Sequence, residues 1–427
     1  MHLTSAVGTE LNRKVDFGLT WNDEDCPPSE LTVICSSFCL RGTNGPSCIE
    51  PRKAYVRARI GTAVALMTLL SCTGERHRES PLTAADPAAL RFAPVAAIDP
   101  GELDPFLNIS SLALDDDGNV YVLDQGARKI RVFDSTGAPV RTIGREGAGP
   151  GEFATPYSLA WTGDTLAVLD PGNGRLELVT RDGKHAATWP GSRITGSQVR
   201  LWQAGPSRFF LDGYRPTADG KLQMLYVSAG PDGGRDTLVI PEHTDADAAT
   251  AVTCHLKNGT ITWFEVPYAS RRMQAVSPDG HLVIARTGDY RFTWVDSAGK
   301  VRRMMAFGAD TLRIPDVFWD SVETEYARWR ERVAGARCDR SDLPRPPRKD
   351  VLRAFDFDDR GRLWVEAETA SGFQFDVWDV AQGTRIAAVP SPSDRDPEVP
   401  FTVRDGRLAL VAEGDEGQVV RIFTMAE

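Results

Sequence analysis

From residue 92 onward the chain alternates. Apolar and polar positions trade places with period two in runs of four to eight residues, and clusters of Asp and Gly close the runs. "SLALDDDG" (111–118), "NVYVLD" (119–124), "KIRVFDSTG" (129–137) and "PVRTIG" (139–144) predict four half-buried strands joined by tight turns. The unit returns at 158–189, 273–307 and 352–389, and more loosely at 199–240. A last copy begins at 400 and stops after three strands.

The missing strand is at the other end. "RFAPVAAID" (91–99) stands alone before the first unit. A ring of four-stranded blades closes when its first strand joins its last three, which leaves no exposed sheet edge at the seam. The predicted fold is all-β, a six-bladed β-propeller over 92–427, closed by pairing the N-terminal strand with the last blade.

One segment breaks the period. Residues 315–338 place Phe318, Val322, Tyr326, Trp329 and Val333 on one face at helical spacing. Acidic residues come early and arginines late, which suits the helix dipole. This predicts a helical insertion at 309–350, after blade 4. It reads as a cap packing its stripe on the propeller or as a lid over a ligand.

The N-terminus does not read as part of the ring. "RKAYVRAR" is basic, "IGTAVALMTLL" apolar, and "LLSC" ends at Cys72. That is a secretory signal over 52–71, too short in its apolar run to span a bilayer. "LLSCTG" resembles a bacterial lipobox, which implies lipid attachment at Cys72 and a cell-envelope location. Residues 72–91 then form a flexible tether, and 1–51 read as an upstream segment from a misplaced start.

The first two units resemble NHL repeats in "GNVYVLD", "RKIRVF" and "GREGAGPGEF". The stretch 92–427 resembles bacterial six-bladed propeller lipoproteins, including their helical insertion. The resemblance implies fold, and little about activity, because propellers carry many unrelated functions.

Topology divides the loops. Turns between the first and second strands, and between the third and fourth, are short: "DDDG", "SPDG", "DDRG", "DSTG", "DSAG". Second-to-third turns and blade crossovers are long and varied, and all fall on the opposite face. Loops on a rigid scaffold carry function. Tyr214, Arg215, Arg286, Asp289, Tyr290, Glu366 and Glu368 are therefore the candidate ligand-binding set, aromatics mixed with both charges. Asp124 with Arg128, Asp170 with Arg175, and Asp212 with Arg215 repeat at the ends of second strands. They read as loop-holding pairs or as a charged ring.

The 427 residues are 41% hydrophobic and 25% charged, ordinary globular composition with ample chain for a large core. A formal charge of −10 argues against a basic nucleic-acid footprint. The histidines show no close metal-ligand spacing, no catalytic residue stands out, and no cofactor or metal is expected. The reading is a non-catalytic, membrane-anchored propeller presenting a binding face to a protein, peptide or glycan. The alternative is a divalent-metal hydrolase or lyase of the lactonase or amidating-lyase type. Cys254 and Cys338 flank blade 4 on the elaborate face and are candidates for a disulfide.

Overall fold

The computed structural model describes residues 80–427 apart from 82, 89–90, 191–199, 206–207, 217–221, 232–236, 240–249, 309–311, 416 and 427. For 80–81, 83–88, 212–216, 222–226, 237–239 and 426 the backbone alone is described. Cys72, the signal and the upstream segment lie outside the described residues.

Six four-stranded antiparallel sheets form the blades. Blade 1 is Ile109–Leu114, Val120–Asp124, Lys129–Phe133 and Pro139–Ile143. Blade 2 runs from Ser158–Thr162 to His185–Pro190, and blade 3 from Leu201–Gln203 to Thr237–Val239. Blade 4 runs from Arg272–Val276 to Val301–Ala306, and blade 5 from Leu352–Phe357 to Thr384–Pro390. Blade 6 is Thr402–Arg404, Arg407–Gly414 and Gly417–Ala426, completed by Arg91–Ile98. Arg91 lies opposite Ala426 and Ile98 opposite Val420, so the two ends of the ring are sewn together in one sheet.

Burial explains the alternation. Middle strands such as Val120–Asp124 are buried throughout, because both their faces meet neighbouring blades. Outer strands such as Pro139–Ile143 are largely exposed. Aromatic rings fill the seams between blades: Tyr121 meets Trp161 edge-on at 5.1 Å, and Phe375 meets Phe401 at 4.9 Å. The innermost strands are also tied by hydroxyls. Leu159 N donates to Ser111 Oγ and Leu201 N to Ser158 Oγ, both at 3.1 Å.

The short turns share one mechanism. Asp115, Asp134, Asp296 and Asp358 each accept backbone amides from two and four residues on, at 2.8–3.0 Å. The residue three on is Gly118, Gly137, Gly299 or Gly361, with φ between +74° and +86°. Glycine adopts that conformation without steric cost, and the Asp side chain closes the turn it starts.

The insertion differs from the sequence reading in its partner. The helix, Asp316–Arg332, buries Trp319, Val322, Tyr326 and Trp329, with Val333 just beyond; Phe318 is only partly buried. These side chains pack on a hairpin, Ala251–His255 and Ile261–Glu265, that belongs to no blade. Phe264 of the hairpin lies 5.1 Å from Tyr326 and 5.7 Å from Trp329, centroid to centroid. Each such side chain, fully buried, contributes on the order of 1.5–3 kcal/mol. The cap is thus a small layer of its own, hairpin against helix. Cys338, in the short strand Arg337–Cys338, pairs with Cys254 of the hairpin and is disulfide-bonded to it.

Part of the segment read as a tether also differs. Ser80–Pro81 pairs in parallel with the outer strand of blade 4, and Thr83–Ala88 with that of blade 5.

Candidate functional site

The face of long loops opens into a cavity of about 1060 Å³ at the axis of the ring. Its wall is built from the innermost strands and their lead-in residues: Ser110 of blade 1, Ser158 of blade 2, Trp202 of blade 3, Arg272 of blade 4, Arg353 of blade 5 and Phe401 of blade 6. Gln125 and Thr287 from loops, Glu368 and Gln418 from strand ends, and the cap's Phe318 add to it. Propeller geometry explains this: the innermost strand of each blade runs beside the axis, so its edge faces the channel.

Charges in the wall are partly paired. Arg200 pairs with Asp356, and Lys349 with Glu368 at 2.8 Å. Burial raises the Asp356 and Asp350 carboxyls above their ordinary range. The Glu368 carboxylate holds the Lys349 ammonium above its ordinary value. Tyr268 stands where cap meets ring. Its φ is +57°, in the left-handed region that a tyrosine occupies only at a cost, and its ring packs on Phe318 at 5.3 Å. The Val266–Ala269 turn, closed by Ala269 N donating to Val266 O, imposes that conformation.

Of the five candidate residues with described side chains, the structure brings one to the cavity, Glu368. Arg286 spends its guanidinium on Ser270, donating to O at 2.5 Å and Oγ at 3.3 Å. Asp289 pairs with Arg348 at 2.6 Å and holds the linker that follows the cap. Tyr290 is buried between blades 4 and 5, donating to Asp376 Oδ2 at 2.5 Å and accepting Trp378 Nε1 at 3.1 Å. Burial, and then the Asp376 carboxylate, push its hydroxyl well above the usual phenol range, so it stays a donor. Glu366 is fully buried, 2.8 Å from Arg395 and accepting from Ser391 Oγ at 2.6 Å. Tyr214 and Arg215 lie on the blade 3 strand Phe209–Pro216, with side chains outside the described residues.

The repeated aspartates serve their loops. Asp124 accepts the amides of Leu107, Asn108 and Ala127 at 3.2–3.3 Å, and Asp170 those of Ala154 and Thr155 at 2.8–3.0 Å. Arg128 pairs with Glu146 and Arg175 with Glu177, not with the aspartates four and five residues before them. Asp212 has no described side chain.

Sequence reasoning passed over Arg272, Arg353, Asp356 and Tyr268. They lie on innermost strands and in a crossover, whereas the candidate set sits around second-to-third turns. The signal that could have found the first three was a charged residue within an otherwise apolar innermost strand, as in "RRMQAV" and "VLRAFDF". Among the described residues no three His, Cys, Asp or Glu side chains gather so as to hold a metal ion.

Residues 105–176 match a family model described as a 6-bladed beta-propeller. No curated protein matches the chain. Among solved structures, the chain resembles a Bacteroides fragilis protein described as exported, at 11% identity and a TM-score of 0.46, covering 82% of this chain and 100% of that one. It resembles a DUF4221-family member from Bacteroides vulgatus at 12% identity and a TM-score of 0.44, covering 79% and 99%. Virginiamycin B lyase from Staphylococcus aureus follows at 10% identity and a TM-score of 0.38, covering 79% and 99%. At these identities the likeness is one of fold.

Proposed function

We propose that this chain is an exported, lipid-anchored propeller that binds a ligand at the mouth of its axial cavity without transforming it. The observation that carries the reading is the coincidence of the cavity with the face of long loops. A pocket of this size, with aromatic surface and a few convergent polar groups, suits a small or narrow ligand. Glycans and peptides remain the ligand classes, the chain terminus or loop of a partner protein among them. The secretory pattern over 52–71 and the lipobox-like "LLSC" support export and attachment at Cys72 to the cell envelope.

A panel of peptides and glycans titrated against the full chain tests this, read by tryptophan fluorescence because Trp202 lines the cavity. At least one saturable ligand is expected. Asn108→Trp should abolish its binding by filling the mouth, while the Asn108 backbone amide still donates to Asp124. Binding that survives this plug would move the site elsewhere. Turnover of the bound ligand would overturn the non-catalytic part and favour the hydrolase or lyase alternative.

A further inference from the structure

The cavity wall contributed by blades 4 and 5 carries more positive charge than its carboxylates answer. Arg272 begins the innermost strand of blade 4 and is half-buried. Its Nε and Nη2 are closed off from solvent and, among the described residues, have no hydrogen-bond partner and no carboxylate paired with them. Arg353 lies in the innermost strand of blade 5, its guanidinium 4.2 Å over the Phe373 ring. Its one acidic neighbour is Glu366 at 3.9 Å, and its Nη1 makes no hydrogen bond. That carboxylate is already engaged by Arg395 at 2.8 Å. Arg353 and Arg395 therefore share a single carboxylate, and Arg272 has none within ion-pair distance among the described residues.

Thr287 draws the first two together. Its carbonyl accepts Val351 N at 2.7 Å and Leu352 N at 2.9 Å, and its Oγ1 accepts Arg271 N at 2.8 Å. The lead-ins of both innermost strands are thus bonded to one residue, and Arg272 and Arg353 follow on the same stretch of wall. A cation partly removed from water and left without a counter-charge is costly to a folded protein. An anion entering from the open side of the cavity would offset that cost.

We infer that Arg272 and Arg353 form an anion subsite that takes a carboxylate of an acidic oligosaccharide. The inference rests on the cavity being a binding site. A guanidinium presents parallel N–H groups to a planar carboxylate. A singly charged group fits better than a phosphate, because Glu368, Asp396 and Glu398 also line the cavity and repel a second negative charge. A saccharide fits because the rest of the wall offers neutral groups for hydroxyls, among them Ser110, Asn108 and Gln125, beside the rings of Tyr157 and Trp202.

The test is calorimetry on the full chain with trigalacturonate, the neutral galactose trisaccharide and triglutamate, at low and raised salt. Trigalacturonate should bind about tenfold or more tightly than the neutral sugar, as loss of a charge-assisted contact implies. The advantage should shrink with salt, a readout that needs no variant. Arg272→Gln should erase the advantage of the acidic sugar over the neutral one measured on the same variant, and Arg272→Lys should keep part of it. Equal binding of both sugars would overturn the subsite and leave the cavity reading standing. Binding of triglutamate alone would overturn the saccharide assignment. Acidic-sugar binding that survives Asn108→Trp would overturn both readings together.

Discussion

On one face of the ring an Asp carboxylate gathers the amides two and four residues ahead, in blades 1, 4 and 5 alike. On the other face the loops diverge: a crossover becomes a hairpin, another becomes a helix, and a disulfide joins them. The first arrangement is contained in five residues and needs no neighbour. The second exists only through contacts between distant segments, such as Thr287 with Val351 or Cys254 with Cys338. Local solutions repeat because nothing outside them must change. Sites built by distant segments do not repeat, and the cavity lies among them.

The comparison is broken most severely at the seam that both faces share. Deleting 91–99 removes the fourth strand of blade 6 and bares the edge of Gly417–Ala426. Aggregation, or a fall of tens of degrees in melting temperature at about neutral pH, is expected. A soluble monomer melting like the parent would mean that the ring holds without its seam.

A smaller effect, confined to the elaborate face, should follow from Cys254→Ser with Cys338→Ser. The crosslink spans 84 residues, worth about 4.5 kcal/mol when loop-closure entropy alone is counted. Hydrogen exchange should quicken in Ala251–His255 and Asp316–Arg332, while the middle strands of blades 1 and 2 keep their protection. Loss of protection spread evenly over all blades would show that the cap and ring unfold as one.

The smallest effect belongs to the repeated turns. The Lys300 amide, helped by Arg302, lowers the Asp296 carboxyl, and the Thr136 hydroxyl and amide lower that of Asp134. A depressed folded value means stabilisation that is fully present above the ordinary carboxyl value of about 3.9 and is lost as pH falls through the lowered one. Asp134→Asn with Asp296→Asn should cost a few degrees of melting temperature at neutral pH, and the difference should close toward pH 3. A difference that stays constant with pH would mean that the charge of these carboxylates is idle.

Legibility in the sequence follows the same division. The blades could be read because a period-two strand and an Asp-x-x-Gly turn are each complete within a few residues. The seam could be read because a missing strand and an orphan strand add up. Which residues line the cavity was less legible. Arg286, Asp289, Tyr290 and Glu366 are charged or aromatic at loop-bearing strand ends, yet each is used to hold the fold. Whether such a group faces a cavity or a neighbouring blade depends on the packing of elements far away in sequence. The helix shows this within a single turn. Phe318 and Trp319 are adjacent and both apolar, and it is the hairpin, unrecognised as an element, that decides in favour of Trp319.

The seam also sets an order in time. Arg91–Ile98 is among the first parts of the ring to be synthesised, and its partner Gly417–Ala426 among the last. Nearby, Ile109 N waits for Gln418 Oε1, 309 residues later. Until the last blade emerges, the early strand has no native partner, and every finished blade exposes a flank that the next must cover. Contacts so far apart fold slowly, and unpaired edges invite association with other chains. If the chain crosses a membrane unfolded, as a secreted propeller would, its most vulnerable interval lies between arrival of the first blade and arrival of the sixth. An escort that covers strand edges would be needed during that interval and not afterwards.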